Sequence, residues 1–143
     1  MRAPRQLLRA IDANVNRALE GLRVCEDVVR FCFGSDRHTR ALRALRHAVS
    51  QQARRLPVSP TELLQTRDSR RDPGRRAKAS AVRSLEQLLL INLQRAKEAL
   101  RVLEECSRIL APGQARRFQQ LRFRTYDAER SLLLDLATLR HRG

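Results

Sequence analysis

Residues 14–26 read NVNRALEGLRVCE, and residues 92–104 read NLQRAKEALRVLE. At a shift of 78, Asn14 falls on Asn92, Arg17 on Arg95, Ala18 on Ala96 and Glu20 on Glu98. Leu22, Arg23, Val24 and Glu26 fall on Leu100, Arg101, Val102 and Glu104, and Arg30 on Arg108. Any two amphipathic helices would share the leucines. They would not share the Asn, Arg and Glu, so the two stretches are copies. Leu45-Arg46 also matches Leu121-Arg122, at a shift of 76. The duplicated unit is therefore a pair of helices.

Around these copies the apolar spacing is helical. Leu8, Ile11, Val15, Ala18, Leu22, Cys25, Val29 and Cys32 recur every three or four residues and predict a first helix running to Cys32. Gly34 ends it, and Ser35 or Asp36 caps the next. Leu42, Leu45, Val49 and Leu56 mark a second helix stopped at Pro57. Ser59-Pro60-Thr61-Glu62 has the order of an N-cap, a Pro at the first helical position and a reciprocating Glu, which predicts one short helical turn. From Thr66 to Lys78 the pattern dissolves into Arg, Asp, Ser, Pro and Gly, a loop. A third helix is expected from about Ser80, with Leu85, Leu89, Leu93, Ala96, Leu100, Leu103 and Leu110 on its seam. Pro112-Gly113 breaks it, and a fourth carries Phe118, Leu121, Tyr126, Leu132, Leu133 and Leu136. Strand alternation is absent. The expectation is one all-α domain over 1–143, an antiparallel helical bundle of two duplicated hairpins (about 7–56 and 85–137), with a linker and long basic loop at about 57–79.

The chain has 143 residues, enough to bury a core, and 42% of them are hydrophobic. With 3% aromatics and no Trp, that core must rest on Leu, Val, Ala and Ile. No stretch approaches the roughly 20 apolar residues of a membrane span. The opening Met1-Arg2-Ala3-Pro4-Arg5 lacks the apolar centre of a signal peptide. Cys25, Cys32 and Cys106 are odd in number and form no CxxC pair, so buried positions in a reducing cytoplasm are expected. The formal charge of +15 attracts polyanions: nucleic acid, anionic membrane or nucleotide phosphates. Lys78 and Lys97 are the only lysines beside 28 arginines, a bias that a skewed codon usage also produces.

The polar identities carry the chemistry. Asn14, Arg17, Gly21 and Val24 form one helical stripe, repeated by Asn92, Arg95, Ala99 and Val102. Gly21 marks a point where another backbone or a ligand approaches closely. Glu20 and Glu98 flank the stripe, and Arg23 and Arg101 stand one turn on. Packed about a pseudo-twofold axis, two arginines, two asparagines and two glutamates would converge between the first and third helices. Arginine forks onto phosphate, and Asn offers a donor and an acceptor to a polar ring. The competing reading pairs Glu20 with Arg23 and Glu26 with Arg30 on a solvated face. In the loop, Arg67-Asp68-Ser69 and Asp72-Pro73-Gly74 set two carboxylates near arginines, a combination that can hold Mg²⁺ against substrate phosphates, or simply form a polar linker. No GxxxxGK[ST] or GxGxxG occurs. His38, His47 and His141 are too scattered for a metal motif and read as solvated or capping groups. No zinc finger, stacking platform or helix-turn-helix is found.

The run from Ile11 to Asp27 resembles the opening of the monofunctional hydroxymethylpyrimidine phosphate kinase family. That domain occurs alone or fused in front of thiamine phosphate synthase. The resemblance continues through Leu45-Arg46-His47, Arg67-Asp68, Asp72-Pro73-Gly74, Asn92 to Glu105, and Arg122, Tyr126 and Glu129. It implies ATP-dependent phosphorylation of 4-amino-5-hydroxymethyl-2-methylpyrimidine phosphate to its diphosphate, for thiamine biosynthesis. The roughly 250 residues of the barrel that the synthase needs do not fit in this chain. For the kinase reaction, spacing and chemistry make Arg17, Glu20, Arg95 and Glu98 the catalytic set. Asn14, Arg23, Asn92, Arg101, Arg67 and Gly74 would bind substrate and ATP, and Asp68 and Asp72 would hold Mg²⁺. Arg70, Arg71, Arg75 and Arg76 make the loop unusually basic and depart from the family pattern. The expected partners are the pyrimidine phosphate and ATP, with a second copy of the chain or thiamine phosphate synthase as protein partners, and no membrane. The alternatives are a non-enzymatic basic module binding RNA or an acidic protein, and a regulatory partner of the pathway without catalysis.

Overall fold

The computed structural model describes residues 4–140, apart from the side chains at 137, 139 and 140. The chain start discussed above (Met1 to Ala3) and His141 lie outside the described residues. Four long helices are formed: α1 (Arg5–Asp27), α2 (Asp36–Arg54), α4 (Leu85–Leu110) and α5 (Pro112–Arg140). The short α3 (Pro60–Thr66) and a 3₁₀ turn (Pro73–Arg76) lie in the connection between the hairpins. No strand occurs among the described residues, and the chain is all-α, as its periodicity predicts.

The helices form a ring in which each long helix runs against its neighbours. Arg46 of α2 meets Glu26 of α1 across the first hairpin. In the second hairpin, Arg122 meets Glu104 and Glu129 meets Lys97, an antiparallel order. Cys25 donates to the Leu89 carbonyl at 3.6 Å and Gly21 lies against Asn92 and Ala96, so α1 and α4 are antiparallel too. Arg37 reaches Asp135 while Gln52 reaches Gln114, which closes the ring between α2 and α5. One apolar core fills the centre, and Ala18, Leu22, Leu93, Ala96, Leu100, Leu103 and Phe118 are fully enclosed in it.

Local chemistry sets the ends of these elements. Ser35 caps α2 by accepting from His38 N–H at 3.3 Å. Ser59 and Glu62 complete a reciprocal capping box on α3. Pro112 opens α5 at a position where its missing N–H costs nothing. Gly34 takes a φ of 62°, in the left-handed region where a side chain is strained, and turns the chain into α2.

Three sequence expectations are corrected. The first helix does not stay α-helical to Cys32: Val28–Cys32 is a π turn, closed by Phe33 N–H to the Val28 carbonyl. The wider turn shifts the register, so Phe33 packs on the core and Cys32 is exposed instead of buried. The third helix starts at Leu85, not near Ser80. Ser84 accepts from Gln87 N–H at 3.1 Å while Gln87 Oε1 takes Arg83 N–H at 2.7 Å, which fixes the start there. On α5 the buried position is Thr125, whose hydroxyl is spent on the Leu121 carbonyl, and Tyr126 is exposed. Four residues on from Leu121, Thr125 continues the helical period that Tyr126 breaks.

Candidate functional site

The duplicated stripe borders the α1–α4 contact, and that contact is closed. A Cβ built on Gly21 would stand 2.7 Å from the Asn92 carbonyl oxygen, so Gly21 is the place where α4 backbone approaches α1. Ala18, Ala96 and Ala99 complete the same small-residue seam. At Gly21 the line between the first and third helices, where both copies were expected to converge, is occupied by close backbone packing. Asn14 and Asn92 are buried at its edge and take the same pose. Asn14 donates Nδ2 to the Ala10 carbonyl at 2.8 Å, and Asn92 to that of Leu88 at 2.9 Å. Arg17 and Arg95 are exposed and, among the described residues, have no ion-pair partner. Glu98 is exposed and accepts from Gln94 at 3.0 Å.

The pairing of charges differs from the helix-neighbour reading. Glu26 ignores Arg30 and accepts from Arg46 Nε at 2.9 Å, with Arg43 at 3.5 Å. Its copy Glu104 accepts from Arg122 Nε and a second guanidinium nitrogen at 3.2 and 3.1 Å. Burial pushes the Glu26 carboxyl up, but the Arg46 hydrogen bond and the charges of Arg46, Arg23 and Arg43 outweigh it and hold the group below its ordinary range. Arg23 lies 3.3 Å from Asp27, and Arg101 lies 3.3 Å from Glu105.

Beside the first of these buried pairs, α1 and α2 part to form a groove of about 620 Å³. Glu20 and Arg23 line it from α1, and Arg46, His47, Ser50 and Arg54 from α2, with Leu19 and Val24 as its apolar wall. Ser50 and Arg54 also border an adjoining hollow of about 190 Å³, walled by Val15, Ala53, Val58 and Leu63 and reaching Asp12 and Arg67. The two form one trough along the hairpin. Three arginines, one glutamate and an apolar wall suit an anionic ligand with a flat, weakly polar part. Arg95 instead borders a different opening, between α4 and α5, with Leu90, Ile91, Gln94, Lys97 and Glu129.

The loop residues stand at the far end of the trough. Arg67 forks onto the buried Asp12, Nε and a terminal nitrogen each at 2.8 Å, which pins the loop's first residue to α1. That bond raises the Arg67 pKa further. Asp72 accepts from Gly74 N–H at 2.8 Å and shapes the turn, and Asp68 faces Arg71 at 3.7 Å. Among the described residues no three His, Cys, Asp or Glu side chains gather where one ion could meet them all. Mg²⁺ bound chiefly by substrate phosphates needs only one or two carboxylates, and Glu20 is the carboxylate within the groove.

His47, Ser50 and Arg54 line the trough without having been singled out from the sequence. Arg46-His47 adjoins the α2–α5 match, which was the available signal. Ser50 falls on Tyr126 and carries no duplicated identity, whereas Arg54 falls on Arg130 at the same shift of 76, a match of one arginine among many. The other histidine described, His38, is buried with Nε2 2.9 Å from Asp135 Oδ2. Cys25 is fully enclosed, and burial, with Glu129 adding to it, pushes its thiol up to about 12, so it is not a nucleophile. Among the described residues no helix is long and apolar enough to cross a membrane.

Comparison with known proteins identifies a family and several relatives. The ThiD2 family profile matches residues 9–131. A protein of Synechocystis named thiamine-phosphate synthase is 35% identical over 92% of this chain and 37% of its own length. One of Nostoc sp. with the same name is 36% identical over 87% of the chain and 35% of its length. One of Rhodopirellula baltica, also so named, is 32% identical over 97% of the chain and 37% of its length. The chain thus spans little more than a third of the curated relatives it matches. No solved structure matches it. The chain belongs to the ThiD2 family.

Proposed function

We propose that this ThiD2-family chain phosphorylates 4-amino-5-hydroxymethyl-2-methylpyrimidine phosphate with ATP, yielding the diphosphate for thiamine biosynthesis. The observation that carries the reading is the α1–α2 groove, where Glu20 and Arg23 of the duplicated signature meet Arg46, His47 and Arg54 beside an apolar wall. The name shared by the relatives supports the pathway.

The chemistry asks little of the protein beyond charge and alignment. The acceptor is a phosphate oxygen, already anionic near neutral pH because its second pKa is about 6. No base is needed to create the nucleophile. The barrier lies in bringing two polyanions together, and arginines fixed along one trough lower it by neutralising both. Arg46 is held in place by Glu26, and Arg23 is steadied by Asp27, whereas Arg54 is uncommitted among the described residues. The apolar wall of Leu19 and Val24 suits one face of the pyrimidine ring. Glu20 would hold Mg²⁺ brought with the nucleotide, and the ion would supply charge neutralisation at the phosphates. Arg17 and Arg95 stay within the proposal as exposed guanidinium groups beside the α1–α4 seam, and Asp68, Asp72 and Gly74 as loop groups beyond Arg67.

Purified protein incubated with ATP, Mg²⁺ and the pyrimidine monophosphate, followed by mass spectrometry, tests the reaction. Diphosphate that appears only with all three present supports it. A folded, helical protein that makes none would remove the kinase assignment.

A further inference from the structure

The two hairpins are copies, but their grooves are not. In the first hairpin Leu19, His47 and Ser50 border the groove, and Ala53 the adjoining hollow. At the shifts of the duplication, the same places in the second hairpin hold Lys97, Phe123, Tyr126 and Glu129. Lys97 is buried there, its Nζ 3.0 Å from Glu129 Oε1 and 4.7 Å from the centre of the Tyr126 ring. Tyr126 in turn leans on Phe123 at 5.9 Å. Small or neutral groups on one side are matched by an ammonium, a carboxylate and two rings on the other.

This difference decides which groove accepts an anion. A phosphate entering the second copy would meet the Glu129 carboxylate and would have to draw Lys97 from a partner it holds away from water. Separating a buried pair leaves one charge uncompensated, which is the costly case. The opening that remains there, beside Leu90, Ile91 and Gln94, offers Arg95 as its one uncommitted cation among the lining residues. In the first copy, Arg54 borders both parts of the trough and, among the described residues, has no ion-pair partner. It keeps its charge for a ligand. Its counterpart in the second copy is Arg130.

We infer that the chain carries one phosphate site, in the first hairpin's trough with Arg54 as a phosphate-binding residue, and that the Lys97–Glu129–Tyr126 group fills the second hairpin's equivalent. The inference rests on reading the trough as the place where the phosphorylated substrates bind. An ancestral pair of equal sites would thereby have become one site and one structural plug, and the duplication would not imply two ligands per chain.

Inorganic pyrophosphate is the probe, titrated calorimetrically at physiological salt so that diffuse attraction to the basic surface is screened. One equivalent should bind per chain. Arg54→Gln should weaken binding at least about tenfold, and Arg130→Gln should stay within about twofold of the parent. Both residues are exposed, so neither change threatens the fold. Two equivalents per chain, equal losses in the two variants, or no binding at all would overturn the inference. Pyrophosphate bound as described with no diphosphate product keeps the site and removes the kinase. Product formed at the parent rate by Arg54→Gln keeps the kinase and removes the site.

Discussion

Arg46 donates Nε–H to Glu26 at 2.9 Å across the first hairpin, and Arg122 repeats the bond to Glu104 in the second. Glu26 is 1% exposed, so its charge depends on that contact. Removing one member of a buried pair costs about 3–5 kcal/mol, because the other charge is stranded. Arg46→Met should fall at the low end, about 3 kcal/mol, since Arg43 still stands 3.5 Å from Glu26. Urea denaturation with an unchanged slope reads this directly. A loss under about 1 kcal/mol would mean that water reaches Glu26 and the pair is only a surface contact.

The same carboxylate gives the fold an acid limit. The Glu26 pKa is lowered from its ordinary 4.5 in the folded chain. A depressed carboxylate contributes stability that is present above its unfolded pKa and is lost as pH falls through the folded value. Urea midpoints should therefore drop between about pH 5 and pH 3. Glu26→Gln should be less stable at neutral pH and show a shallower drop over that window. An identical slope in parent and variant would assign the acid sensitivity to other carboxylates.

Gly21 separates packing from helix propensity. Alanine at that position would favour an isolated helix by about 0.5–1 kcal/mol. Here its Cβ would meet the Asn92 carbonyl at 2.7 Å, and the obstacle is backbone, which moves only if α4 moves. Gly21→Ala should destabilise the chain by about 1–3 kcal/mol, the usual range for an overpacked core. Thermal unfolding decides the sign. A rise in Tm would mean that α1 and α4 part without cost, and the seam would not be the tight contact described.

Much of this was legible in the residues. The 78-residue shift between Asn14 and Asn92 exposes the duplicated hairpin, and Gly21 with Ala99 as its counterpart marks the close approach, because both depend on local pattern alone. The charge partners were not legible. Glu26 has Arg30 four positions on, which local spacing favours, yet it turns to Arg46 because its own position faces the core and α2 brings that guanidinium to it. Arg67 reads as a loop cation free for substrate, and the fold spends it on Asp12, 55 residues away in sequence. The trough escaped for the same reason. Arg54 and Glu20 share it only because α2 runs back along α1, which the match of Arg54 with Arg130 does not reveal.

Arg17 and Arg95 are where the duplicated signature can be tested without disturbing the fold. Both are exposed, and neither has an ion-pair partner among the described residues. Surface changes of this kind usually stay within about 0.5 kcal/mol. The double variant Arg17→Ala with Arg95→Ala should therefore keep its helical circular dichroism and its urea midpoint. If the two guanidinium groups stabilise the phosphates in transit, diphosphate formation should fall by at least about a hundredfold, the loss typical of a single missing transition-state donor. The single variants then separate the copies: Arg17 shares α1 with Glu20 and Arg23, whereas Arg95 lies at the α4–α5 opening beside the Lys97–Glu129 pair. A larger loss from Arg17→Ala than from Arg95→Ala would place the reacting phosphates on the first hairpin. Full turnover in the double variant would remove both residues from the site and leave catalysis to Arg23, Arg46 and Arg54.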